Sequence, residues 1–280
     1  EFAAAGLAEC PDDIVTKEEA CESLARRQLF LRRSGSEEWP DGTLSARYAF
    51  HHLLYQQAFY NGVPPARRTA LHRRIATQLE NAFGEMAGDI AHRLAHHYEL
   101  GRAFLPAARY RRLLGERALS RRVMDTACEQ LAHASRLLKL TPSTAERTAE
   151  ELTVELDTGL ATMVQLGVGS KPAGRAYSRA FDLATELQDR HAQARSLRGL
   201  WEYHFSLGNT AVMSDIANQL ISVTPFEDEE AAMWTHNVAG QTRWVIGAPE
   251  QAEQHIEAVL SAYNASRHGD FVARTGSDPG

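Results

Sequence analysis

The stretch from Arg47 to Glu80 reads RYAFHHLLYQQAFYNGVPPARRTALHRRIATQLE, and within it the apolar pattern changes its period. Tyr48 and Phe50 alternate as on the last strand of a hairpin. Phe50, Leu53, Leu54 and Ala58 then recur at helical spacing, so a strand is expected to run straight into a helix. Gly62-Val63-Pro64-Pro65 should close that helix and open another, because Gly tolerates a left-handed exit and Pro suits a first turn. The second helix puts Leu71, Ile75, Leu79 and Phe83 on one face, with Arg67, Arg68, Arg73 and Arg74 mostly on the others.

Upstream, Lys17 to Arg27 reads as a helix with Ala20, Leu24 and Ala25 inward, Thr16 as N-cap and Glu19 completing a capping box. Leu29 to Leu31 form a short apolar strand, and Pro40-Asp41-Gly42 marks a turn, Pro presetting φ and Gly accepting a positive one. Helix, strand, turn, strand is the second half of a winged helix, and only Phe2 to Leu7 hints at the first half. Downstream, Ile90, Leu94 and Tyr98 line one helix, Gly101 breaks it, Ala107, Tyr110 and Leu114 line the next, and Ala127, Leu131, Ala134 and Leu138 a third. Leu166-Gly167, Leu207-Gly208 and Ile246-Gly247 then recur after 41 and 39 residues, each between two helices. That is a tetratricopeptide-like helix hairpin, somewhat longer than the usual repeat of about 34 residues. Gly240 and Ala252 fall at the small positions of the last unit, whereas the Gly208 unit has Trp201 and Met213 there.

The expected fold class is therefore mainly α: a partial winged helix with a small β-hairpin, followed by a tetratricopeptide-like α-solenoid. The expected boundaries are 1–62 for the winged-helix part, 63–84 for a connecting helix and 85–280 for the repeats. The start without Met and the end at His268 to Gly280 both suggest a piece of a longer chain. With 280 residues, 44% hydrophobic and 24% charged, the chain can bury a sizeable core. No apolar run approaches the ~20 residues of a membrane span, and no signal peptide is visible. Cys10, Cys21 and Cys128 lack metal-ligand spacing and suit reduced thiols, so a cytoplasmic location is expected. Residues 1–140 hold 20 Lys and Arg against 17 Asp and Glu, and residues 141–280 hold 10 against 19. Only three of the basic residues are Lys, a usage that reflects coding composition before any Arg-specific role.

The residues Phe50, His52, Leu54, Tyr60, Arg67, Arg68, Leu71, His72, Ile75, Ala76, Leu79 and Glu80, at this spacing, resemble the segment that follows the nucleotide-binding domain in bacterial STAND-class signal-transduction ATPases. Glu38 to Gly42 and Ala176-Tyr177-Ser178-Arg179-Ala180 extend the resemblance. It implies a P-loop ATPase domain upstream, often with a nucleotide cyclase or a DNA-binding regulator at the front. It also implies a winged helix packed on the ATPase and repeats that meet an effector. His52 occupies the place of a histidine that senses the β-phosphate of bound ADP; the plain alternative is that it caps or fills a small core.

On this reading the chain is a non-catalytic sensor piece with no cofactor of its own, ATP or ADP belonging to the parent protein. Its expected partners are the upstream ATPase domain and a protein or small-molecule effector, with self-association left open and no membrane. Counting back from Gly208 and Gly247, Arg198, Glu202, Asn237 and Gln241 should line the concave face of the repeats, as exposed polar side chains. A DNA-binding regulator is the first alternative. Glu18, Glu19 and Glu22 beside Arg26 and Arg27 argue against phosphate contact by the first helix. A stand-alone helical scaffold is the second alternative. Gly167-Val168-Gly169-Ser170-Lys171 has the wrong order for a phosphate loop, and His92 and His96 lack a third metal ligand and a metalloprotease Glu.

Overall fold

The computed structural model describes residues 2–7, 13–27 and 30–264. Cys10, Leu29 and the terminal stretch from His268 to Gly280 lie outside the described residues. The chain divides into two compact units, Glu1–Leu113 and Leu114–Gly280.

In the first unit the order is β1 (Phe2–Ala3), a 3-10 turn, α1 (Asp13–Arg26), β2 (Leu31–Glu38), β3 (Leu44–Phe50), α2 (Leu53–Gly62), α3 (Pro65–Phe83), a 3-10 segment (Gly84–Ile90), α4 (Ala91–Leu100) and the first part of α5 (Phe104–Ser120). The strands form an antiparallel sheet in the order β1-β3-β2, with Phe2 opposite Tyr48 and Leu31 opposite Phe50. The expected helix, turn and last strand are present, while the strand expected at Leu29–Leu31 runs instead from Leu31 to Glu38, mostly polar and with only Leu31 in common. The turn works as its residues require: Trp39 N–H donates to Thr43 O at 2.9 Å, Asp41 accepts from Thr43 N–H at 2.9 Å, and Gly42 has φ +85°.

Three local expectations are corrected. The first helix starts at Asp13, so Thr16 is an interior residue and no capping box forms there. The helix turns Cys21 and half-buried Ala25 to the sheet, while Ala20 and Leu24 are exposed. Glu18 accepts from Ala46 N–H at 2.6 Å and Tyr48 OH donates to Glu22 at 3.3 Å. The inward face is thus partly carboxylate, which an apolar count misses. Second, α2 ends without a left-handed Gly: Val63 leaves in extended conformation, and Pro65 begins α3 as expected. Third, the break at Gly101 is made as expected, α4 ending at Leu100, but the left-handed residue is not the Gly. Arg102 is, at φ +52°, and Gly101 serves close packing, since a Cβ there would lie 2.8 Å from the backbone nitrogen of Arg73.

The second unit stacks α6 (Met124–Leu138), α7 (Ala145–Leu166), α8 (Lys171–Glu186), α9 (Arg190–Ser206), α10 (Thr210–Val223), α11 (Glu229–Val245) and α12 (Pro249–Ala262). Gly167, Gly208 and Gly247 turn the three hairpins at φ +95°, +69° and +83°, backbone that a side chain would strain. The first helix of each hairpin starts on a side-chain cap. Thr144 accepts from Arg147 N–H, Asp189 from Ala192 N–H, and Asp228 from Glu230 and Ala231 N–H. In addition to its sequence neighbours, α9 touches α7 and α11, so α7, α9 and α11 form one layer. The helical repeat reading holds.

Packing explains why the Gly208 hairpin departs from the usual small residues. Trp201 is 3% exposed and donates its indole N–H to Thr242 of α11 at 2.8 Å, which ties adjacent hairpins at that position. The close approach moves to Gly199. Gly240 and Ala252 fit the usual pattern: a Cβ on Gly240 would meet α12 side chains at 3.2 Å, and Ala252 is fully buried.

Candidate functional site

In the second unit, the α7/α9/α11 layer carries the four residues picked from sequence, but it does not leave them freely exposed. Arg198 and Glu202 sit one turn apart on α9 at 3.7 Å, with side chains only 13% and 15% exposed. The guanidinium of Arg198 also lies 4.4 Å above the ring of Trp234 on α11. Gln241 donates to Asn237 at 2.7 Å within α11, and both are half-buried. Two cavities, of about 370 and 80 Å³, adjoin this cluster, and Arg195, Arg198, Glu230 and Trp234 line both. Counting back from the glycine turns finds Arg198. Arg195, Glu230 and Trp234 were missed, because they continue the same i, i+3 and i+4 stripes one or two turns nearer the helix starts than the count went, and the two stripes meet only once two hairpins are packed side by side. Trp244, near the end of α11, is 67% exposed.

This geometry changes what a substitution should do. Arg198→Ala removes a guanidinium from an aromatic face and its aliphatic stem from partly buried surface, so a stability loss of about 1–2 kcal/mol is expected. Gln241→Ala, which breaks one neutral side-chain contact, should cost less than about 0.5 kcal/mol. Urea denaturation of the two variants checks this, and equal losses would show that the Trp234 contact carries no weight.

In the first unit, a cavity of about 850 Å³ is lined by the sheet, α2, α3 and α4. On one side, Glu37 of β2 accepts from Arg93 of α4 at 2.9 Å and lies 3.9 Å from Arg47 of β3. On the other, His72 of α3 meets His97 of α4, Nδ1 to Nδ1, at 2.9 Å, and Tyr60 OH lies 3.1 Å from His72 Nε2. Only one proton can sit between two Nδ1 atoms, so at least one ring must be neutral. Burial depresses the pKa of both, with His96 and then Arg68 adding at His72; His97 is taken down to about 4 by burial, then by His72, His96 and Arg93. His96, paired in sequence with His92, stands in space beside these two rings, with centroids 6.4 Å from His72 and 5.6 Å from His97.

His52 is exposed at the junction of β3 and α2. Its Nδ1 accepts from Leu54 N–H at 3.2 Å, making it the N-cap of α2. Gly167 to Lys171 form a hairpin turn in which Ser170 N–H donates to Gly167 O at 3.1 Å. Tyr177 and Arg179 of the AYSRA run are structural, Tyr177 packed between helices and Arg179 bonded to Glu151 at 2.8 Å. No helix among the described residues is long and apolar enough to cross a membrane.

No protein-family model matches the chain. It is similar to an uncharacterised protein of Rhizobium meliloti (strain 1021), at 27% identity over 224 residues, or 79% of this chain. The matched part is 21% of that relative, so the chain spans about one fifth of the length of the curated protein it matches.

Proposed function

We propose that the chain is the non-catalytic regulatory part of a signal-transduction ATPase. Its repeats bind a protein or small-molecule effector, and its sheet-containing unit relays that event to the nucleotide state of an upstream ATPase domain. The observation that supports effector binding most directly is the lined cavity beside Arg198 and Trp234. There a cation held on an aromatic face, the exposed Arg195 and the carboxylate of Glu230 surround space that two hairpins create together. Support for the relay comes from the resemblance in the Arg47 to Glu80 segment and from the placement of His52, whose imidazole is exposed at a strand-to-helix junction. ATP and ADP belong to the parent protein on this reading.

The relay is tested at His52, and the cap it makes dictates the variant. His52→Ala would remove both the imidazole and the α2 cap, confounding signalling with a local cost of about 0.5–2 kcal/mol. His52→Asn keeps a good cap and removes the imidazole. In the full-length protein that carries this chain, His52→Asn is expected to speed ADP release several-fold while leaving thermal stability nearly unchanged, because a contact made in one nucleotide state biases the equilibrium between states. Unchanged ADP release would leave His52 as a helix cap alone.

A further inference from the structure

The cavity of the first unit has a chemistry of its own. Its volume, about 850 Å³, is in the range of small-molecule sites, and its apolar lining includes Phe2, Phe50 and Leu53. Phe2 and Phe50 stand with ring centroids 6.1 Å apart, and Leu53 is 62% exposed although it lines the cavity. No residue of α2 is buried. The lining thus offers apolar surface that the described residues leave uncovered.

The polar side of the lining holds spare donors. Arg93 spends one N–H on Glu37, and its guanidinium has no other hydrogen-bond or ion-pair partner among the described residues. Trp39, which also lines the cavity, is 5% exposed, and its indole N–H has no acceptor among the described residues. An indole N–H without an acceptor and the remaining N–H groups of Arg93 on one cavity suit a ligand that brings acceptors, and an Arg fork suits a carboxylate in bidentate contact. The carboxylate of Glu37, 2.9 Å from Arg93, sets the limit on charge. With Arg47 3.9 Å from the same carboxylate, the two guanidinium groups and Glu37 sum to one positive charge, which a monoanion matches and a phosphate dianion exceeds. The His72–His97 pair, held neutral, adds hydrogen-bonding groups without adding positive charge.

We propose that this cavity binds a small amphipathic monocarboxylate, with its carboxylate on Arg93 beside Glu37 and its apolar body against Phe2, Phe50 and Leu53. The site is separate from the effector cavity of the repeats and does not depend on it.

The test uses the 280-residue chain with octanoate and phenylacetate as probes and octanamide as the neutral match for octanoate. Backbone amide shifts are followed by NMR during titration. Saturable octanoate binding with Kd below roughly 1 mM is expected, with shifts at Glu37, Arg93 and their neighbours and octanamide at least about tenfold weaker. Arg93→Gln should erase the difference between octanoate and octanamide, and Arg93→Lys should keep part of it. Should Arg93→Gln fail to fold, the acid and amide comparison on the unaltered chain still decides. Equal affinity for octanoate and octanamide would overturn the proposal, as would shifts confined to other parts of the chain. So would the absence of saturable binding by both carboxylates.

Discussion

Gly199→Ala should destabilise the second unit by about 2–3 kcal/mol, although Ala is the better helix former by about 1 kcal/mol. The reason lies in Tyr177. A Cβ on Gly199 of α9 would stand 2.5 Å from the Tyr177 ring, and one on Gly159 of α7 would stand 2.7 Å from the same ring. The ring is therefore held between two backbones and cannot retreat from one without striking the other. Tyr177 is 4% exposed and belongs to the core made by α7, α8 and the start of α9, so its displacement would spread through both hairpins. The decisive comparison is with Tyr177→Ala. That variant alone should cost about 3–5 kcal/mol as a cavity. In its background Gly199→Ala meets no ring and should become neutral or stabilising by up to about 1 kcal/mol. Urea denaturation followed by circular dichroism and by the summed tryptophan fluorescence, to which Trp201, Trp234 and Trp244 of this unit contribute, reads all four corners of the cycle. Additive costs would show that the clash relaxes cheaply and that Gly199 is not there to admit Tyr177.

This pair also shows what a sequence can and cannot disclose. The hairpin turns were legible because Gly167, Gly208 and Gly247 advertise positive φ, and their spacing is that of the repeat. The turns at Arg102, Arg122 and Gln188 have the same left-handed backbone, at φ +52° to +58°, but no glycine to mark it. Only the surrounding packing dictates those conformations. Gly159 and Gly199 look like weak points in helices until another element is seen to press on them. The layer that holds Arg198, Glu202, Asn237 and Gln241 follows from counting, whereas their half-burial does not, since it depends on the long side chains of α9 reaching α11. The first-unit cavity was the least legible. Glu37, Tyr60, His72 and Arg93 come from four elements, and no local pattern links a bulged strand to a helix more than fifty residues later.

Glu80→Ala should cost the first unit about 2–4 kcal/mol, because one carboxylate serves two phenols. Tyr98 of α4 donates to one oxygen of Glu80 and Tyr110 of α5 donates to the other at 2.5 Å, with the two rings parallel to within 7°. Hydrogen bonds to an ionised acceptor are worth about 1.5–3 kcal/mol each. Tyr98 is 5% exposed and cannot turn to water when its acceptor is lost, while half-buried Tyr110 can recover part of the loss. Glu80→Gln keeps one acceptor oxygen and should cost about half as much. The same geometry sets an alkaline limit. Both phenol pKa values are raised by burial and then by Glu80, so the native chain keeps protons that the unfolded chain releases above about pH 10. Stability from this cluster is therefore complete below pH 10 and falls as pH rises beyond it. Removing the carboxylate removes part of that shift, so the gap between Glu80→Ala and the unaltered chain should narrow above pH 10. Urea denaturation curves at pH 8 and pH 11, followed by circular dichroism, give the answer: a loss under about 0.5 kcal/mol at pH 8, or a gap that widens with pH, would mean that the two tyrosines do not depend on Glu80.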